Sequence, residues 1–137
     1  MRRSLLLLPA VALTVALSHL ASAQGAKPAL YTADQATAGA AVYSQACAAC
    51  HGAQLEGVAA PALKGANFGE MATAQGLTVD ALVDVIANTM PQSDPGSLKP
   101  DEYAAVTAYI LQQNGYPAGS TALAKTAAGL KDAKVTP

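Results

Sequence analysis

Cys47-Ala48-Ala49-Cys50-His51 holds both cysteines of this 137-residue chain and one of its two histidines. On a helix, positions i, i+3 and i+4 share one face. Cys47, Cys50 and His51 stand at that spacing. Two thiols and an imidazole on one face suit a single flat ligand, bonded at its edge and ligated at its central metal. Cys-x-x-Cys-His is the attachment signature of c-type haem, whose two vinyl groups take two cysteines as thioethers. The other readings of the pair fit less well. A thioredoxin-like redox pair needs a βαβ setting, and the chain shows no useful run of strand period. A closed zinc site needs four ligands, more than this pair and one imidazole supply. A plain disulfide leaves His51 unexplained.

The other histidine, His19, falls in an apparent export signal. Arg2 and Arg3 form a positive start, Leu5 to Leu17 is an apolar run, and Ala21-Ser22-Ala23 fits a cleavage site. Residues 1–23 therefore read as a cleaved signal peptide. The alternative is a membrane anchor, but the apolar run is shorter than the ~20 residues that span a bilayer. The Arg2-Arg3 pair also allows a twin-arginine route. Cleavage leaves residues 24–137 as one periplasmic domain, with His51 its sole histidine. Its six Lys and no Arg against nine Asp and Glu give a net charge of −3. Clustered basic residues of the kind that bind nucleic acid are missing.

The rest of the chain reads as helices separated by long loops. Gln24 to Tyr31 is a loose leader. Thr32 and Gln35 have the spacing of a capping box, opening a first helix from Ala33 to about Cys47. Gly39 interrupts its alanines, either as a tolerated exposed glycine or as a point where another helix comes close. Tyr43 lies on the same face. His51 to Met71 contains Gly52, Gly57, Pro61, Gly65 and Gly69 and reads as a compact loop. Thr78 caps a helix with Leu82, Val85 and Ile86 as its buried stripe and with Leu77 stapled to Leu82. That helix ends near Asn88. Pro91 pushes Met90 into extended geometry. Pro100 opens a last helix, with Asp101 and Glu102 in its first turn. Tyr103, Val106, Tyr109 and Ile110 form its apolar face, and Asn114-Gly115 ends it. Residues 118–137 form a partly ordered tail anchored by Leu123, Leu130 and Val135.

If haem is bound, the second axial ligand comes from methionine or lysine, or the site stays open. Met71 and Met90 are the methionines outside the signal; each could equally be core filler. Met90 is favoured because a whole helix separates it from His51, long enough for the chain to wrap around a ring, and His/Met pairs serve electron-transfer cytochromes. Pro61 is either a turn residue or the carbonyl that accepts the non-ligating ring nitrogen of His51.

Several stretches together resemble class I c-type cytochromes: Thr37 to Tyr43, Cys47 to Gly52, Pro61-Ala62-Leu63-Lys64-Gly65, Met90-Pro91, Pro95-Gly96-Ser97-Leu98, and Glu102 to Leu111. The last run, with Asn114 to Gly119, is similar to cytochrome domains and subunits of bacterial quinoprotein alcohol dehydrogenases. The resemblance implies an all-α cytochrome c fold of three to five helices around one covalently attached haem c. It implies that Cys47 and Cys50 hold the haem, that His51 and Met90 ligate iron, and that the Pro61 carbonyl orients His51. Gly39 and Tyr43 would then pack the first helix on the last, near Val106 and Tyr109. The absence of Arg and Trp after residue 23 departs from many relatives and leaves the propionate partners unassigned. The function implied is a periplasmic monohaem carrier passing single electrons between redox proteins, with a quinoprotein dehydrogenase or a terminal oxidase as candidate partner. The alternatives are a dedicated subunit of a dehydrogenase complex and a haem enzyme or sensor with an open iron site.

Overall fold

A computed structural model describes residues 26–124 and 130–136; the expected signal peptide lies outside the described residues. Five helices appear in the order α1 (Ala33–Ala46), α2 (Ala48–His51), α3 (Gly65–Ala74), α4 (Val79–Thr89) and α5 (Pro100–Gln113). The described residues form no strand; Thr78 and Lys134 make an isolated bridge. The fold is all-α, as expected.

The framework is the packing of α1 on α5, with α4 on another side of α5. Gly39 makes the first contact possible. A Cβ there would lie 1.9 Å from the Ala105 carbonyl oxygen and 3.0 Å from Tyr109 Cβ, so only glycine lets the two backbones meet. One turn on, the Tyr43 and Tyr109 rings tilt against each other with centroids 5.4 Å apart. Such aromatic pairs add roughly 0.5–1.5 kcal/mol beyond the area they bury.

α5 is buried more widely than a single apolar stripe would be. Tyr103 through Ala108, Ile110 and Leu111 are all buried, because α1 and α4 cover it from different sides. Pro100 occupies its first position, and the Glu102 carboxylate accepts the Lys99 N–H at 2.8 Å. The acid thus caps a helix start that Lys99 is poorly built to cap.

Three expectations are corrected. The segment after His51 is a loop only as far as Lys64; α3 follows it. Phe68 and Ala72 of α3 are buried at i, i+4 spacing. Burying a phenylalanine is worth ~1.5–3 kcal/mol, which exceeds the ~1 kcal/mol that Gly69 costs in a helix interior. In α4 the buried stripe is Val79, Leu82, Val83 and Ile86, while Val85 is half exposed. Val85 is one residue, about 100°, away from the centre of that stripe.

Thr32 accepts the Gln35 N–H at 3.2 Å, but the Gln35 side chain does not return to Thr32. It spans to the tail instead. Its amide donates to the Leu123 carbonyl and its oxygen accepts the Leu123 N–H, both at 2.7 Å. Leu123, Leu130 and Val135 are buried. Gln35→Ala would strand both Leu123 backbone groups. We expect a loss of about 1–3 kcal/mol, read from urea unfolding, with faster proteolysis beyond Gly119. Equal protease resistance would mean that the apolar anchors alone hold the tail.

Candidate functional site

The site starts in the one-turn helix α2. The N–H groups of Cys50 and His51 both donate to the Cys47 carbonyl, at 3.1 and 3.0 Å. That turn puts the two cysteines and His51 on consecutive rungs. Both thiols are free, Cys50 exposed and Cys47 partly buried. Burial pushes the Cys47 thiol above its ordinary pKa, so near neutrality it is held as S–H. No three His, Cys, Asp or Glu side chains converge on a common point among the described residues. The two thiols and the imidazole therefore do not form one metal cage.

The loop from Gly52 to Lys64 folds back over α2 and saturates its carbonyls. The Cys50 oxygen accepts N–H groups from Val58, Ala59 and Ala60 at 3.2, 2.9 and 3.0 Å, and the His51 oxygen accepts Gly57 N–H at 2.8 Å. Gly57 has φ +80°, and a Cβ on it would lie 2.6 Å from the Ala62 nitrogen. Leu55, fully buried, adopts φ +63°. A left-handed leucine costs ~1–2 kcal/mol, a cost the surrounding packing offsets.

This wrapping brings the Pro61 carbonyl 2.8 Å from Nδ1 of His51. A proline carbonyl can only accept, so Nδ1 carries the proton. In the neutral ring, Nε2 is then a bare lone pair, the form that ligates a metal. His51 itself is buried, with a relative exposure of 9%. Tyr43 braces the same corner by donating from Oη to the Gly52 carbonyl at 2.6 Å. Its pKa is pushed up to about 12 by burial, then by Cys47, Tyr109 and Glu56, so it remains a neutral donor. The sequence marked Tyr43 only as a packing residue. A buried tyrosine hydroxyl needs a partner, and that requirement was the available signal.

Met90 closes α4 in extended geometry, φ −122° and ψ 150°, as Pro91 demands. Met90, Met71 and Leu63 are partly buried against the core. Between α4 and the start of α5, a cleft of about 310 Å³ is lined by Val83, Ala87, Gly96, Leu98, Pro100 and Tyr103, and by none of Cys47, Cys50, His51 and Met90. Tyr103 joins both ends of the Met90 loop. Its Oη donates to the Met90 carbonyl at 2.8 Å and accepts the Leu98 N–H at 3.4 Å.

The donor set fits a covalently held haem. Two unpaired thiols stand one turn apart, beside an imidazole whose Nε2 is left bare, and the chain also offers two methionine thioethers. The family described as "Cytochrome C oxidase, cbb3-type, subunit III" matches residues 34–110, a span from the start of α1 nearly to the end of α5. No curated protein matches the chain.

Proposed function

The chain belongs to the family of cbb3-type cytochrome c oxidase subunit III, and from that premise we propose that it carries single electrons between periplasmic redox proteins through a His/Met-ligated haem c. Membership makes it a c-type cytochrome, a haem-containing electron-transfer protein. The observation that carries the finer reading is the 2.8 Å contact of His51 Nδ1 with the Pro61 carbonyl, because it leaves Nε2 free to bind iron beside two free thiols.

When bound, the haem supplies a one-electron ferrous/ferric couple with no substrate bond made or broken. The chain's own residues do the rest. Cys47 and Cys50 would hold the group covalently. His51 would ligate through Nε2, kept in one tautomer and one orientation by Pro61. Met90 would offer its thioether as the other ligand and so keep exogenous ligands away. A thioether ligand raises the potential. Electrons exchange near Cys50, which is exposed, as are Ala49, Val58 and Ala59. Those four side chains carry no charge, and the exposed Glu56 stands in the same loop; a small, sparsely charged rim suits brief, weak docking.

A Met–Fe bond gives the ferric protein a weak absorption band at the red end of the visible spectrum. Met90→Ala is expected to abolish it and to lower the midpoint potential by on the order of 0.1 V, a fraction of the range that axial ligands span. A band that survives Met90→Ala but not Met71→Ala would move the ligand to α3. No band in the unaltered protein would support an open iron site.

The description of the matching family favours a second reading, a subunit held in an oxidase complex. A quinoprotein dehydrogenase is the other candidate partner. Gel filtration of a native periplasmic extract separates these from a free carrier: haem eluting near the size of this chain supports the carrier, and co-elution with a large protein supports the subunit.

A further inference from the structure

We propose that Tyr103 is a positioning residue that clasps the Met90 loop shut, so that its hydroxyl governs how easily Met90 is displaced from iron. The inference rests on the ligation proposed above and goes beyond it by naming what holds the ligand in place. Met90 opens the loop between α4 and α5, and Leu98 stands one residue before its end. Oη of Tyr103 bonds the backbone at both, 2.8 Å to the Met90 carbonyl and 3.4 Å from the Leu98 nitrogen. Two further bonds, from Asp94 N–H to the Pro91 carbonyl and from Ser97 N–H to the Asp94 carbonyl, are turns within the loop. They shape it without tying it to the body.

Tyr103 can act as an anchor because it is itself fixed. It sits in the first turn of α5, is 6% exposed, and lines the cleft with Val83, Ala87 and Leu98. Its ring is held by packing while its hydroxyl reaches the loop. The Met90 backbone is thus held on both sides of its Cα, by its N–H donating to the Ile86 carbonyl at 3.1 Å and by its carbonyl accepting from Tyr103. Removing the hydroxyl frees the carbonyl side and the far end of the loop together, and keeps the ring.

The test is Tyr103→Phe in the haem-loaded protein, titrated with imidazole in the ferric state. Imidazole must displace Met90, and loss of the red band reports the displacement. We expect roughly fivefold tighter imidazole binding in Tyr103→Phe, the factor equivalent to ~1 kcal/mol, with the band still present before imidazole is added. Val106→Ala is the control: it loosens the same buried helix away from the loop and should leave imidazole affinity unchanged. Equal affinity in Tyr103→Phe and the unaltered protein overturns the proposal, as does an equal rise in Val106→Ala. Amide exchange in the unaltered protein is a second measurement that needs no variant. The Leu98 N–H should be protected, and exchange at the free-chain rate overturns the clasp. If the unaltered protein has no red band, Met90 ligation fails, and Leu98 exchange alone still decides whether the clasp exists.

Discussion

Gly39→Ala is expected to destabilise the haem-loaded protein by about 1–3 kcal/mol, and Gly39→Val by more. The new Cβ would sit 1.9 Å from the Ala105 carbonyl oxygen. That atom is backbone inside a buried helix and cannot swing aside as a flexible side chain would. α1 must therefore move off α5, which loosens the Tyr43–Tyr109 contact one turn away. Overpacking of this kind costs ~1–3 kcal/mol. Alanine recovers up to ~1 kcal/mol through better helix propensity, which is why the alanine variant is the milder one. Valine brings less of that gain and adds two methyl groups to the same gap. The measurement is the urea midpoint at unchanged m-value. A Gly39→Ala protein as stable as the parent would show that α1 and α5 do not meet as closely as described.

That expectation could be half-read in the sequence. Glycine among alanines on one face of a helix marks either a tolerated defect or a close approach, and only the partner's position decides. The partner lies about 66 residues away in the chain, beyond the reach of local periodicity. The same limit explains the errors. α3 was hidden because Gly65 and Gly69 speak against a helix locally, while what favours it, the burial of Phe68 and Ala72, is tertiary. Gln35 has the spacing of a capping box, yet its side chain spends its hydrogen bonds on Leu123. Local grammar cannot foresee a partner that distant. Spacing did succeed where the chemistry is local. Cys47, Cys50 and His51 share one turn because the motif is one turn long, and Pro61 is close enough in the chain for a short loop to carry it back to His51. The hydroxyls of Tyr43 and Tyr103 signal by their type that each needs a partner once buried, but an apolar face accounts for each ring without saying where its oxygen goes.

Removing both thiols carries the largest consequence. Cys47→Ala/Cys50→Ala should yield a chain without covalent haem and without cooperative folding. Denaturing electrophoresis with haem staining would show the first, and the thermal far-ultraviolet transition the second. The physical reason is that a covalently held haem would add a large apolar body to a small core. Burying apolar surface is worth ~25 cal/mol per Å², and total stability for a domain of this size is ~5–15 kcal/mol, so losing that burial consumes most of the margin. The single variants should separate the two thiols. Cys50 is exposed, whereas Cys47 is partly buried with its thiol pKa raised. Cys47→Ala keeps the more accessible thiol and should retain more singly attached haem than Cys50→Ala. A sharp, native-like helical melt from the double variant would contradict the whole account, because it would mean that α1, α4 and α5 close a core that needs nothing at its centre.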